Sequence, residues 1–221
     1  MLTSASCFRE ECTLHKPHKT EIAEQMKLLA ATLLFVTTAF AQRPAVPTAP
    51  AQPQAPPLKG SLAGHPSWPV AKPADVHSID AILAALYDVI SGPSGQQRDW
   101  DRMRSLFLPD ARLIPSRLDR DTHRADAIIL SIDGYIERSS PLMTSSGFFE
   151  RGIHNQIEQF GNIVHIWSTY ESRHNATDAQ PFARGINSIQ LLKSGDRYYI
   201  VQILWDSESP ANPIPAQYLP K

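Results

Sequence analysis

Polar and apolar residues alternate through much of the stretch from Asn162 to Ser207, which contains three runs rich in Ile, Val, Tyr and Trp. Such residues at a period of two are typical of β-strands with one buried face. Turn residues separate the runs, for example at 194–196, so the stretch predicts an antiparallel meander. A fourth long strand is expected over 148–160, joined to the meander by a hairpin turn.

Upstream of these strands, apolar residues recur at helical spacing and predict three helices that cover one face of the sheet. Ser78 is placed to cap the first helix, which is expected over 79–90. The second is expected over 97–106 and the third, a short one, over 131–138. A short strand is expected at 112–115, between the second and third helices.

This order of elements predicts an α+β domain over residues 77–209. Three N-terminal helices are expected to pack on the concave face of a curled, cone-shaped antiparallel sheet. The open end of such a cone is the natural place for a ligand pocket.

Residues 26–41 combine one lysine with an apolar run of about 14 residues and end in Ala39-Phe40-Ala41. This pattern predicts a secretory signal peptide cleaved near Ala41-Gln42, and hence an exported (periplasmic or secreted) protein. An uncleaved membrane anchor is the alternative, but the run is shorter than the roughly 20 residues that span a bilayer. Residues 1–25 fit poorly as part of a signal, which favours Met26 as the true translation start and residues 1–25 as a mis-assigned start.

Prolines mark two further segments of the chain. Residues 42–76 are rich in Pro, Ala and Gln, and part of this segment has proline at every third position, which predicts an extended, disordered linker. A motif for a proline-recognising partner is the alternative. After Ser207 the chain again becomes proline-rich, and 210–221 are expected to form a tail.

The composition excludes several classes of partner. The net charge is −1, so no basic surface for nucleic acid is expected. Both cysteines, Cys7 and Cys12, precede the predicted cleavage site, so the mature protein needs no disulfide. No stable membrane insertion is expected after cleavage, and no nucleotide, serine-hydrolase or zinc-protease motif is present, so no cofactor is predicted.

Three short motifs together carry a resemblance to a known family. They are the helix containing Tyr87, the run W-x-x-M-x-x-L-F-x-P-D-A at 100–111, and the terminal G-D-R-Y-Y-I-V-Q-I-L-W at 195–205. With the order of elements, they resemble the nuclear transport factor 2-like superfamily and, within it, the SnoaL-like bacterial proteins, over residues 77–209. The family includes isomerases, cyclases, dehydratases, hydrolases and non-catalytic members, so its fold does not fix a function.

The ketosteroid isomerase branch of this superfamily uses an aspartate base together with a tyrosine and a neutral acid that polarise the substrate oxygen. The resemblance places Tyr87 at the tyrosine position. The position of the base falls near Pro115, and that of the acid near Ser188. Neither residue matches, which argues against this isomerase chemistry.

Alternation along the last two strands predicts which side chains enter the cone. On the last strand the expected inward residues are Tyr199, Val201, Ile203 and Trp205, and on the preceding strand they are Arg184, Ile186, Ser188 and Gln190. The predicted ligand-binding set is Tyr87, Arg184, Ser188, Gln190, Ile203 and Trp205. In the alternative interpretation the apolar members are core and Arg184 pairs with an acid such as Asp110.

The catalytic candidates are Asp110, expected near the mouth of the cone, and His165 on the strand after the hairpin. Asp110 is alternatively a turn cap and His165 a structural side chain. No metal site is predicted. Glu150, His154 and Glu158 are four residues apart on a strand, which separates neighbours by about 13 Å, so they are expected to form a solvated or partner-facing row.

Three functions remain open at this point. The first is a non-catalytic exported domain that binds a small, partly apolar ligand in the cone. The second is a lyase, isomerase or cyclase with Asp110 or His165 as base and Tyr87 as hydrogen-bond donor. The third is a structural module that forms a homodimer through the outer face of the meander, on which Tyr198, Ile200 and Leu204 are expected.

Overall fold

The structure is a computed structural model and describes residues 60–119 and 121–221. The predicted start region 1–25, the signal peptide 26–41, the cleavage site at Ala41-Gln42 and linker residues 42–59 lie outside the described residues. Within those described, there is no helix of the length and apolar character needed to cross a membrane.

Four α-helices, two 3-10 helices and six strands make up the described chain. The α-helices are α1 (Pro73–Val76), α2 (Ile79–Ile90), α3 (Trp100–Leu106) and α4 (Ile132–Ser146), and the 3-10 helices are Leu62–Gly64 and Ala216–Tyr218. The strands are β1 (Phe107–Leu118), β2 (Ala125–Ala127), β3 (Phe149–Phe160), β4 (Ile163–Arg173), β5 (Ala183–Ser194) and β6 (Arg197–Ser207).

Three of the four α-helices, α2, α3 and α4, begin where a short polar side chain accepts a hydrogen bond from a backbone N–H group of the first turn. The Ser78 hydroxyl accepts a hydrogen bond from the Ala81 N–H at 3.1 Å, as predicted. α4 is longer than the predicted 131–138 and continues through Pro141 to Ser146. The proline removes one backbone hydrogen bond, but Ile136 and Met143 on either side of it are buried, and their packing keeps the helix continuous.

The sheet has the strand order β2-β1-β6-β5-β4-β3, and β3 to β6 form the predicted antiparallel meander. The sheet, predicted to be antiparallel, is mixed, because β1 pairs parallel with β6. The strand expected at 112–115 is the middle of β1, which also includes residues 108–111. A strand's own pattern of side chains does not specify the direction of the strand beside it, so this pairing had no local signal.

Helices and sheet share one core. Side chains such as Ile82, Leu86 and Met103 from the helices are buried together with Ile166 and Ile189 from the inner face of the sheet. The sheet is curled and does not close into a barrel, which confirms the predicted α+β class with helices on one face.

The ordered domain extends beyond the predicted limits at both ends. In the predicted linker, Trp68 donates its indole N–H to the carbonyl oxygens of Arg104 and Phe107, both at 3.1 Å, and Val76 is buried. In the predicted tail, Tyr218 stacks on Trp167 at a ring-centroid distance of 5.7 Å. The linker prediction is therefore wrong for residues 60–76, because Trp68, Ala71 and Val76 of this proline-containing stretch pack in or against the hydrophobic core.

A buried arginine joins the elements that surround the cavity described next. The guanidinium of Arg98 donates to the carbonyl of Ile90 at the end of α2, to that of Met143 in the last turns of α4, and to that of Gly92 in the loop between α2 and α3. Gly92 in turn exchanges two backbone hydrogen bonds with Phe148, at 2.7 and 3.0 Å, immediately before β3. Arg98 thus sets the positions of α2, α4 and the start of β3 together.

Candidate functional site

A cavity of about 320 Å³ lies between α2, α4 and the inner face of the sheet. Most of its wall is aliphatic or aromatic. The apolar lining residues are Leu86, Ile90, Met103, Leu113, Leu142, Met143, Phe148, Phe182, Ala183, Ile203 and Trp205. The polar ones are Tyr87, Tyr135, Arg138, Ser139, Glu150, Tyr170, Ser172 and Asn187.

Glu150 is the acidic residue of this wall, and two serines hold it in place. Its backbone N–H donates to the Ser91 hydroxyl at 3.0 Å, which fixes the start of β3 against the end of α2. Its carboxyl accepts a hydrogen bond from the Ser172 hydroxyl at 2.8 Å. Glu150 and Ser172 are cross-strand partners in β3 and β4 and therefore face the cavity from the same side of the sheet.

Burial raises the pKa of Glu150 to about 7, because a carboxylate loses hydration in this largely apolar wall. Hydrogen bonds from Ser172 and Asn187 favour the charged form and oppose part of this effect. At neutral pH the carboxyl is therefore divided between its protonated and its ionised form. A group in that state can both accept and return a proton.

Tyr87 reaches the cavity from α2 and is oriented by two polar side chains. Its hydroxyl lies 2.6 Å from the Ser168 hydroxyl and accepts a hydrogen bond from the Asn187 amide at 3.2 Å. Burial raises the pKa of Tyr87, so it remains a protonated donor. Gly152 makes room for the ring, since a Cβ at that position would lie 2.9 Å from Tyr87 Cε2.

Two further tyrosines complete the polar side of the cavity. Burial raises the pKa of Tyr170 to about 12, and its hydroxyl lies 3.3 Å from that of Ser207. Burial also raises the pKa of Tyr135, whose ring meets Trp205 edge-on at 6.2 Å. The phenol groups are thus neutral hydrogen-bond donors around a carboxyl that is near its titration point.

The mouth of the cavity is formed by α4 and the segment before β5. Arg138 and Leu142 are exposed there, and Phe182 is half exposed. The Phe182 ring stacks on His174 at 4.2 Å and meets Phe148 edge-on at 6.2 Å. The opening of the cavity is therefore an aromatic and aliphatic rim with the positive charge of Arg138.

Three of the six predicted ligand-binding residues line this cavity. Tyr87, Ile203 and Trp205 all contribute to its wall. Their role in ligand binding stays a prediction.

The prediction that Arg184, Ser188 and Gln190 point into the cavity is wrong. Antiparallel register pairs Asn187 with the buried Ser168, so the alternate residues of β5 face the other way. Arg184 pairs with Glu208 at 2.8 Å, and not with Asp110 as the alternative interpretation had it. The alternation misled because β5 carries isoleucine or leucine on both of its faces.

A β-bulge explains the error on β6. The pairing of β5 with β6 shifts register between Gln190 and Leu191, whose partners are Gln202 and Ile200. Ile200 and Ile203 are therefore both buried, although they are three residues apart. Tyr199 and Val201 do not share the inner face with Ile203 and Trp205.

The predicted dimerisation face is wrong for two of its three residues, because of the same register shift. Tyr198 and Ile200, expected on the outer face of the meander, belong to the hydrophobic core. Leu204 is exposed as predicted.

Neither predicted catalytic residue lies in the cavity. Asp110 is exposed on β1, next to Gly60, because the strand begins before it and not after it. His165 faces outward from β4, with its Nε2 at 3.0 Å from the Ser188 hydroxyl. The positions inferred for both as a catalytic base are therefore wrong.

Glu150 does not belong to the solvated row that was predicted with His154 and Glu158. A register shift between Gly152 and His154 separates it from them and brings it into the cavity wall. Within the part of the chain that the structure describes, no group of three or more acidic, histidine or cysteine side chains is placed to hold a metal ion.

Sequence reasoning missed Glu150 and Asn187 as cavity residues. Asn187 is the immediate neighbour of Ser188, the position at which the ketosteroid isomerase acid was sought. Two features of the sequence could have indicated them. Asn187 is a polar residue beside the isoleucines of a buried strand, and Glu150 stands near the start of a strand that follows a loop.

No protein-family model and no curated protein sequence matches this chain. Solved structures similar to it include a protein with a cystatin-like fold from Nostoc punctiforme, with a TM-score of 0.45 and 10% identity, covering 60% of this chain and 90% of that one. Two others are proteins of unknown function described as like nuclear transport factor 2.

The first of these two, from Silicibacter pomeroyi, has a TM-score of 0.41 and 13% identity over 59% of this chain and 92% of its own. The second, from Shewanella baltica, has a TM-score of 0.41 and 16% identity over 60% and 93%. Both descriptions name the superfamily that the sequence motifs resemble.

The raised pKa of Glu150 predicts a pH dependence of stability. The folded state holds this proton more tightly than the unfolded state, so the contribution of the Glu150 carboxyl to stability is complete below about pH 4.5 and is lost as the pH rises through about 7. The unfolding free energy of Glu150→Gln minus that of wild type should therefore increase by about 2 kcal/mol as the pH rises from 5 to 8. Urea unfolding at several pH values measures this difference.

Glu137→Gln is the matched control, since it removes an exposed carboxyl from α4. Equal pH profiles for wild type and Glu150→Gln would contradict the assignment of the raised pKa.

Proposed function

We propose that this domain binds a compact, largely apolar molecule with one polar end in the cavity around Glu150. The supporting observation is the composition of the wall, in which aromatic and aliphatic side chains surround a few convergent polar groups. A volume of about 320 Å³ suits a ligand of one or two fused rings. Its apolar part would lie against Trp205 and Phe148.

The polar end of the ligand is expected to be a neutral acceptor such as a carbonyl oxygen. The tyrosine hydroxyls and the protonated form of Glu150 are donors that converge on the cavity. An anionic group would be repelled by Glu150 whenever that carboxyl is ionised. The bicyclic ketone 1-tetralone has the required size and polarity and is a suitable probe.

Leu142→Trp tests this proposal, because Leu142 lies at the mouth of the cavity and is exposed, so a larger side chain blocks entry without disturbing the core. We expect it to weaken the binding of 1-tetralone at least tenfold, as measured by calorimetry or ligand-observed NMR. Leu118→Trp, which enlarges an exposed leucine of β1 outside the cavity lining, is the control and should bind as wild type does. Equal affinity in the two variants would contradict the proposal.

Proton transfer by Glu150 is a second candidate function, supported by a pKa near 7 in an apolar cavity. In this reaction the ionised carboxylate removes a proton from the carbon next to the ligand carbonyl, and the C–H electron pair moves to the oxygen as an enolate. The Tyr87 hydroxyl, held by Asn187, donates a hydrogen bond to that oxygen. Glu150 then returns the proton to the same carbon or, where the ligand carries a C=C bond conjugated with the enolate, to the γ-carbon of the dienolate, which is the chemistry of an isomerase. In a lyase the enolate instead re-forms the C=O bond, a C=C bond forms between the α- and β-carbons, and the leaving group departs from the β-carbon with its electron pair.

Exchange of the α-hydrogens of 1-tetralone in D2O, followed by proton NMR, tests this candidate without knowledge of the natural substrate. Enzyme-dependent exchange should increase as the pH rises through about 7, since the carboxylate is the base. Glu150→Gln should lower it by about 100-fold or more. Glu158→Gln, at the exposed end of the same strand, should leave it unchanged, and exchange that persists in Glu150→Gln would exclude Glu150 as the base.

We further infer that the protein is exported and that its mature chain begins at Gln42. The support is the sequence pattern of residues 26–41, with its lysine, apolar run and terminal Ala-x-Ala. N-terminal sequencing of the protein recovered outside the cytoplasm of a bacterial host should give Gln42. A chain that stays in the cytoplasm with residues 26–41 intact would contradict this inference.

A further inference from the structure

Arg138 is the positively charged member of the cavity lining. It stands on α4 at helical spacing from Tyr135 and Leu142, which line the same cavity, so it belongs to the cavity side of the helix. Its neighbour Glu137 lies on another side of α4 and lines a separate depression beside Trp100. Arg138 is therefore exposed at the mouth of the cavity and not among the charges on the outer side of this helix.

Arg138 has no hydrogen-bond or ion-pair partner among the described residues. Guanidinium groups elsewhere in the domain are engaged, for example that of Arg184 with Glu208 at 2.8 Å and that of Arg173 with Glu171 at 2.6 Å. The N–H donors of Arg138 at the mouth are thus available to a ligand.

The positive charge of Arg138 is separate from the carboxyl of Glu150. A guanidinium in contact with a carboxylate lowers the pKa of that group. The pKa of Glu150 is instead raised by burial, and the groups that oppose this effect are the neutral side chains of Ser172 and Asn187. The cavity therefore offers a ligand two distinct polar points, a buried carboxyl and a cation at the mouth, within a wall that is mostly apolar.

We infer that the ligand of this cavity carries a carboxylate at the end that remains at the mouth, where the guanidinium of Arg138 binds it. A guanidinium matches the two oxygens of a carboxylate with two parallel N–H···O hydrogen bonds. This inference rests on the function proposed above. It narrows the ligand class to ring-containing keto acids, in which the carbonyl and the carboxylate stand at opposite ends of an apolar body.

Arg138 in this role decides the orientation of the ligand. The reverse orientation would place the carboxylate beside Glu150, where loss of hydration and charge repulsion both oppose it. With the carboxylate held at the mouth, the ketone end is the one that reaches Glu150 and Tyr87. An ion pair at an exposed position changes affinity by about fivefold or less, so most of the affinity comes from burial of the apolar body.

Two probes that share one ring system, 1-tetralone-6-carboxylic acid and the corresponding carboxamide, test this inference on the purified protein. At pH 6 the acid probe is ionised and Glu150 is mostly protonated. Two-dimensional NMR should place both probes in the cavity through the methyl signals of Leu142 and Met143. Calorimetry at low salt should show that wild type binds the acid about fivefold more tightly than the amide.

Arg138→Gln should abolish this preference by weakening the acid alone, with the affinity for the amide unchanged. Arg138→Lys should retain part of the preference, since it keeps the charge but not the paired N–H groups. Arg117→Gln is the matched control, because it removes an exposed arginine of β1 outside the cavity lining and changes the net charge equally. It should leave the preference as in wild type.

Two results would overturn the inference and leave the proposed function intact. One is binding of the amide and of 1-tetralone in the cavity without a preference for the acid. The other is a preference for the acid that persists in Arg138→Gln, or that Arg117→Gln loses to the same extent, since Arg138 would then not be the point of recognition. If neither probe nor 1-tetralone shifts the Leu142 and Met143 signals, the proposed function fails and this inference fails with it.

Discussion

The arrangement of this domain depends on one buried cation that is satisfied by backbone carbonyl groups. The guanidinium of Arg98 donates hydrogen bonds to free carbonyl groups at the end of α2 and near the end of α4, where the helix dipoles place partial negative charge. The same guanidinium holds Gly92, which is paired with Phe148 just before β3. Hydrogen bonds from a charged group each contribute about 1.5–3 kcal/mol. Helices and sheet are therefore joined at the one corner from which Glu150 enters the cavity.

Protein cores are mostly apolar, but the wall of this cavity contains buried polar side chains that form hydrogen bonds with one another. Ser168, Ser172 and Asn187 are buried on the inner face of the sheet, where aliphatic residues would pack more simply. Each takes part in hydrogen bonds to Tyr87 or Glu150, so the polar atoms are satisfied by one another. Local departures of this kind are concentrated at functional sites, since there is otherwise no gain to offset the desolvation of a carboxyl.

The sequence was sufficient for the fold class and for most elements. Apolar spacing located α2 and α3, and alternation located the four antiparallel strands. It was not sufficient for the parallel pairing of β1 with β6, which depends on the path that the chain takes after β5. Nor did it identify the inward face of β5, because both faces of that strand are partly apolar. Of the candidate site residues, Tyr87 was found through the family resemblance of the helix that carries it. Glu150 and Asn187 were missed because each depends on a single register.

The β-bulge in β6 shows that a single residue decides which side chains of a strand face the cavity. Ahead of it the strand contributes Tyr198 and Ile200 to the core, and after it Ile203 and Trp205 face the cavity. The one extra residue thus exchanges the inward-facing and outward-facing positions of the strand, although the strand has a similar amino-acid composition on both sides of the bulge. In related chains, the gain or loss of that residue would exchange the set of side chains that meets a ligand for the set that meets solvent. Specificity in this fold can therefore diverge through strand length, with the hydrophobic content of the strand left as it was.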